Sequence, residues 1–164
     1  MVKQFVLDFM HLGCLGVLKK MLQDFWLEGN LTTKLGQNGK RQLSQNLIEL
    51  QSQIPEEFQR TTRSVQDIAK WKATEYRLFG LYIGPIVLKP ILQKKHYKHF
   101  LLLHAAFRIL CSDNDVAIKY NGQAKAYLKS FVLLTEQYYG AQNLMLRSGN
   151  RPLAQLCRRI HESS

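Results

Sequence analysis

The chain has 164 residues and a mass of 19.1 kDa, the length of one ordinary domain around one hydrophobic core. Hydrophobic residues make up 46% of it and charged residues 21%, which excludes a disordered chain and predicts that most of it folds. A net charge of +11, with 23 Lys and Arg spread along the sequence, points to a polyanionic partner, nucleic acid ahead of an acidic membrane.

Over residues 6–27, Met10, Cys14, Val17, Met21 and Phe25 recur at helical spacing, flanked by Leu15, Leu18 and Leu22. Lys19, Lys20, Gln23 and Asp24 form the polar stripe of this amphipathic helix. Lys3 ahead of an apolar segment has the outline of a secretory leader, but Asp8 and His11 interrupt it and no small-residue cleavage site comes after it. Gly29-Asn30 is a stop signal, and 29–40, poor in apolar residues, reads as an exposed loop. The next helix is expected over 42–53, with Leu43, Leu47 and Leu50 on one face, ended by Ile54-Pro55 because proline disfavours the α conformation before it. Pro55-Glu56-Glu57 can open one more turn. Ser64 is an N-cap, with Asp67 three residues on, for a helix reaching about Gly84, and Pro85 and Pro90 punctuate the stretch after it.

Residues 96–111 are apolar on nearly all sides, which predicts a helix in the middle of a bundle with Phe100, Leu103, Phe107 and Leu110 buried. Ser112-Asp113-Asn114-Asp115 is either its end or the cap of the next helix. Over 122–139, Ala124, Tyr127, Leu128, Phe131, Leu134 and Tyr138 repeat at helical spacing, and Gly140 closes the segment. No alternating strand pattern occurs, so the expected fold class is mainly α: a single helical bundle without a substantial β-sheet over 1–140, then a divergent, weakly structured tail over 141–164. The longest apolar stretches are broken by Pro85, Lys89, His104 and Arg108, so no membrane span is expected.

Cys14, Cys111 and Cys157 are odd in number and widely spaced, which fits neither a disulfide framework nor a paired zinc site and points to a reducing, intracellular compartment. Glu75 shares a helical face with Ile68, Phe79, Tyr82 and Ile86. A carboxylate on an apolar stripe needs a cation, hydrogen bonds or protonation. It is either paired with Lys72 or a basic side chain from a neighbouring helix, or it is a metal-binding acid. Asp8 and His11 lie three apart on one face, with His11 expected to lean toward Leu15, Leu18 and Leu22; a core histidine bonded to a carboxylate or carbonyl is the plainer alternative to a site. His96 and His99 could share a metal, but His104 is five beyond His99 and points elsewhere, so structural roles are expected. No Gly-rich phosphate loop, HExxH, serine-nucleophile motif or zinc-finger spacing occurs.

Asp8-Phe9-Met10-His11-Leu12, continuing through Leu15-Gly16-Val17 to Trp26, resembles a block of animal transposases of the CACTA (En/Spm-like) class. So do, in order, Gln53-Ile54-Pro55-Glu56-Glu57-Phe58, Trp71-Lys72-Ala73-Thr74-Glu75-Tyr76-Arg77, Gly84-Pro85-Ile86-Val87-Leu88, and Tyr97 through Leu103 with His104. The resemblance covers roughly 5–140. Complete members are DD(E/D) enzymes with an RNase-H-like core, in which acidic side chains bind two divalent metals, Mg²⁺ or Mn²⁺, against a phosphodiester. The resemblance implies that Glu75 matches the acid of a Lys-x-x-Asp/Glu block and would be the last metal-binding acid, and that Asp8 and His11 match an Asp-x-x-His motif, with Asp8 as a second metal candidate. It implies DNA as partner, a nuclear location, and a missing RNase-H-like core upstream against which the helices would pack. The expectation is therefore a truncated transposase remnant without catalysis of its own. The alternative is an exapted basic helical module that binds DNA or protein.

Overall fold

The computed structural model describes residues 9–58 and 61–140, together with 155, 156 and 159. Among them every regular element is helical and no strand occurs, which is the mainly α class expected.

Helix α1 consists of Phe9–Leu18 and Met21–Leu27, joined through Lys19 and Lys20. It is wound wide, with hydrogen bonds reaching five residues back, as from the Glu28 N–H to the Gln23 carbonyl at 2.9 Å. Winding beyond 3.6 residues per turn spreads an apolar stripe around the helix instead of keeping it on one face. Buried side chains accordingly surround α1: Leu12, Cys14, Val17, Leu18, Met21, Leu22, Phe25, Trp26 and Leu27. Lys20, expected on the polar stripe, is buried as well, with its ammonium 3.0 Å from Asp24 Oδ2 and over the Phe25 ring. His11 and Leu15 face solvent, which corrects the expectation that His11 leans into the apolar stripe.

The 29–40 stretch is not loop throughout. The Asn30 side chain accepts from the Thr32 and Thr33 N–H groups, and Leu35 is buried with its N–H donated to the Trp26 carbonyl at 2.7 Å. Helix α2 (Gln37–Glu49) then starts earlier than expected and takes in Gly39, which lies against Leu35 and Ile91. That packing offsets the weak helix propensity of glycine. A tight turn, Leu50–Gln53, ends α2 ahead of Ile54-Pro55.

The one helix expected from Ser64 to Gly84 is broken. Ser64 does cap, accepting from the Gln66 N–H at 3.1 Å, but it caps a 3₁₀ turn, Val65–Lys70. Trp71 and Lys72 are extended, and α3 (Ala73–Leu78) starts afresh. A wide turn, Phe79–Ile83, leads straight into α4 (Gly84–Leu88). Pro85 does not stop the chain because it occupies the first turn of α4, where a missing N–H removes no helical bond. Gly84 is demanded by space: a Cβ there would lie 2.6 Å from Phe100 Cζ and 2.9 Å from the Phe79 carbonyl oxygen.

Helices α5 (Lys94–Leu110) and α7 (Asn121–Tyr139) pack along each other, with the short α6 (Asn114–Lys119) between them in sequence. Phe100, Leu103, Phe107 and Leu110 are buried as expected, but Leu101, Leu102 and Ala105 are half-buried and Arg108 is exposed. The most enclosed helix is therefore α1 rather than α5. Gly140 ends α7 at φ 93°, a conformation that L side chains rarely adopt. Ring contacts join the elements: Trp71 to Phe79 at 6.0 Å, Phe79 to Phe100 at 6.2 Å, Phe100 to Trp26 at 6.0 Å, and Phe25 stacked on Tyr139 at 4.1 Å. Trp26 Nε1 donates to the Tyr139 hydroxyl at 3.0 Å, satisfying the buried indole N–H. Of the weakly structured tail expected over 141–164, Leu156 is buried in the same core, and Leu144 lies outside the described residues.

The α5–α7 contact holds two buried histidines. His99 stacks on the Phe131 ring at 4.3 Å, and its Nε2 lies 2.8 Å from the Phe131 carbonyl oxygen and 2.9 Å from Thr135 Oγ1. Its Nδ1 and both ring nitrogens of His96 are buried without a hydrogen-bond partner. Burial lowers the pKa of both, His99 to about 4 from an ordinary 6.5, with the charge of Lys95 adding to the effect at His96. His99 is thus neutral in the fold, and the unfolded chain takes up its proton first as pH falls. Stability is expected to drop as pH falls from about 6.5 to 4, by on the order of 2–3 kcal/mol from His99. Urea unfolding of the wild type and His99→Gln across that window measures this; equal pH slopes in the two proteins would contradict it.

Candidate functional site

Glu75 is the acid that the apolar stripe points to, and polar partners surround its carboxylate. It is 4% exposed, at the third position of α3. There one carboxylate oxygen, Oε2, accepts the Lys72 backbone N–H at 2.6 Å, which satisfies one of the free donors at the start of the helix. Arg63 approaches as a fork: its Nε donates to Oε1 and its Nη2 donates to Oε2 at 2.8 Å. The same Nη2 also donates to the Lys70 carbonyl at 3.0 Å. A planar guanidinium matched to a carboxylate in this way is the strong form of an ion pair, and its direction shows in an Arg63 pKa raised chiefly by the Glu75 hydrogen bond.

The partner comes from the loop before the 3₁₀ turn rather than from Lys72, whose side chain is exposed. That loop is itself fastened to α2. The Thr62 hydroxyl donates to the Leu47 carbonyl, Gln51 Nε2 donates to the Thr62 carbonyl, and the Ser64 hydroxyl donates to Ser44 Oγ at 3.0 Å. Trp71 and Tyr76 pack ring to ring at 5.3 Å. Burial, and then the Glu75 charge, push the Tyr76 hydroxyl up to about 12, so it stays protonated and donates toward the Ile68 carbonyl at 3.4 Å. Chemically this is a clamp: one carboxylate gathers a loop, an extended dipeptide and a helix start. A divalent cation at Glu75 would meet a guanidinium already there, and among the described residues no group of three or more His, Cys, Asp or Glu converges.

The other candidates are dispersed. Asp8 lies outside the described residues, and His11 is exposed on α1. His96 and His99 are brought together in the aromatic contact between α5 and α7, within 5.8 Å of Tyr138 or Tyr139 ring centroids. His104 is separate: its Nδ1 donates to the Gly80 carbonyl at 2.8 Å, an acceptor within the wide turn before α4. Cys14 and Cys111 are free thiols pushed up by burial to about 12 and 11, which keeps them protonated and unreactive. Sequence reasoning missed Arg63, because its pairing with Glu75 is set by the turn and break between them and not by helical spacing.

Compared with protein-family models, with curated proteins and with solved structures, the chain gives no match.

If the clamp carries stability, Glu75→Gln should lower the melting temperature by roughly 3–8 °C, the shift that losing a charged partner produces in a domain of this size. Arg63→Met should also lower it. The double variant should lose clearly less than the sum of the two, because the residues act as one unit. Strict additivity would show that the two side chains do not depend on each other.

Proposed function

We propose that this is a basic helical domain of CACTA-type transposase descent that contacts DNA through its Lys and Arg surface and does not itself cut it. The observation that carries the non-catalytic part is the state of the Glu75 carboxylate, which is engaged by Arg63 and by the Lys72 N–H. The resemblance in five ordered blocks supports the descent. On this reading, the acid that matches the family's metal-binding position serves as a folding clamp, and Mg²⁺ or Mn²⁺ has no resident place at it.

The charge supports DNA as the partner, in the nucleus as the resemblance implies. Beyond the net +11, α5 opens with Lys94, Lys95 and Lys98 exposed and no acid in its first turn. Cations at the positive end of a helix repel its dipole, and an approaching phosphate relieves that repulsion. Lys119 and Lys129 are exposed on α6 and α7.

Fluorescence anisotropy on duplex DNA carrying CACTA-type terminal repeats should show binding that weakens steeply with salt, with a slope of about −0.9 per phosphate contact. In the same mixtures, Mg²⁺ or Mn²⁺ should give no nicking above background. Metal-dependent nicking that disappears in Glu75→Gln would overturn the non-catalytic reading, and salt-independent or absent duplex binding would overturn the DNA reading.

A further inference from the structure

A cleft of about 460 Å³ opens beside α3, and neither Glu75 nor Arg63 lines it. Thr74, Arg77 and Leu78 line it at helical spacing, Tyr82 continues the wall, and Met10, Glu57 and Phe58 close the other side. Its volume is in the range of small-molecule sites, roughly 300–1,000 Å³.

The lining combines apolar rings with exposed cationic groups. Phe58 and Tyr82 meet edge to face at 5.5 Å, and Tyr82 is 42% exposed. The Arg108 guanidinium lies over the Tyr82 ring at 5.1 Å and is exposed. Arg77 is exposed too and makes no ion pair among the described residues. An anionic ligand would engage both guanidiniums, which a purely apolar one would not.

We propose that this cleft binds a nucleotide, either free or as one unit of a single strand. The base lies against Phe58 and Tyr82, since every base offers a face for aromatic contact. The phosphate takes Arg77, whose planar fork suits phosphate oxygens, with Arg108 adding positive charge at the rim. Glu57 in the lining accepts from a base or sugar donor. The site is distinct from the duplex surface above, so it stands or falls separately from duplex binding.

Calorimetric titration of the full chain with deoxycytidine 5′-monophosphate, a short oligodeoxycytidylate and inorganic phosphate tests this. Saturable binding of the mononucleotide, tighter than inorganic phosphate, is expected, and Arg77→Gln should weaken it about tenfold, while Lys129→Gln on α7 should change it less than about twofold. The circular dichroism of Arg77→Gln should match that of the wild type. A strand much tighter than the mononucleotide assigns the site to single strands; equal affinities assign it to free nucleotides. Three results would overturn the proposal: no saturable binding of either ligand, equal binding of inorganic phosphate, or equal weakening by Arg77→Gln and Lys129→Gln.

Discussion

A carboxylate that is only 4% exposed must find compensation inside the protein, and the way Glu75 finds it organises the middle of this fold. Arg63, from ahead of the 3₁₀ turn, and the Lys72 N–H, within the interruption, both reach it, so the extended Trp71-Lys72 dipeptide is fixed between a 3₁₀ turn and a helix start. With that geometry set, Trp71 and Tyr76 enter the core and Phe79 continues the ring contacts toward Phe100 and Trp26. Arg63 remains 32% exposed while Glu75 is enclosed, so the cost of burial falls mostly on the acid, and the three donors answer it.

The wide winding of α1 and of the Phe79–Ile83 turn has a related effect. It carries apolar side chains around α1, so this helix can be enclosed, and it leaves the Gly80 carbonyl within reach of His104. The buried histidines at α5–α7 are the converse of Glu75. They are kept neutral rather than ion-paired, which makes that contact sensitive to acid.

Much of this is legible in the sequence. The helical class, α7 with its closing glycine, the Ser64 cap and the burial of Phe100, Leu103, Phe107 and Leu110 all follow from periodicity and capping chemistry. The burial of Glu75 is legible too, but for the wrong reason: the stripe that suggests it includes Tyr82 and Ile86, which are 42% and 65% exposed. A periodic pattern assumes one continuous helix with 3.6 residues per turn, and between 65 and 88 the chain tightens, breaks and widens. The same assumption puts Lys20 on a polar face and His11 on an apolar one. The start of α2 escapes the sequence because Gly39 reads as a loop residue unless its packing against Leu35 and Ile91 is known. Arg63 cannot be read as the partner at all, since no local rule links two residues across such a break.

Whether Glu75 belongs to Arg63 or to a metal is read most directly by adding Mn²⁺ in small steps to the ¹⁵N-labelled chain and tracking backbone amide signals. With the carboxylate held by Arg63, the amides of Lys72 and Glu75 should keep their intensity until after those near the exposed acids Glu56 and Glu57 have lost theirs to weak surface binding. Selective loss at Lys72 and Glu75 at the lowest Mn²⁺ would contradict the clamp and return Glu75 to the role of a metal ligand.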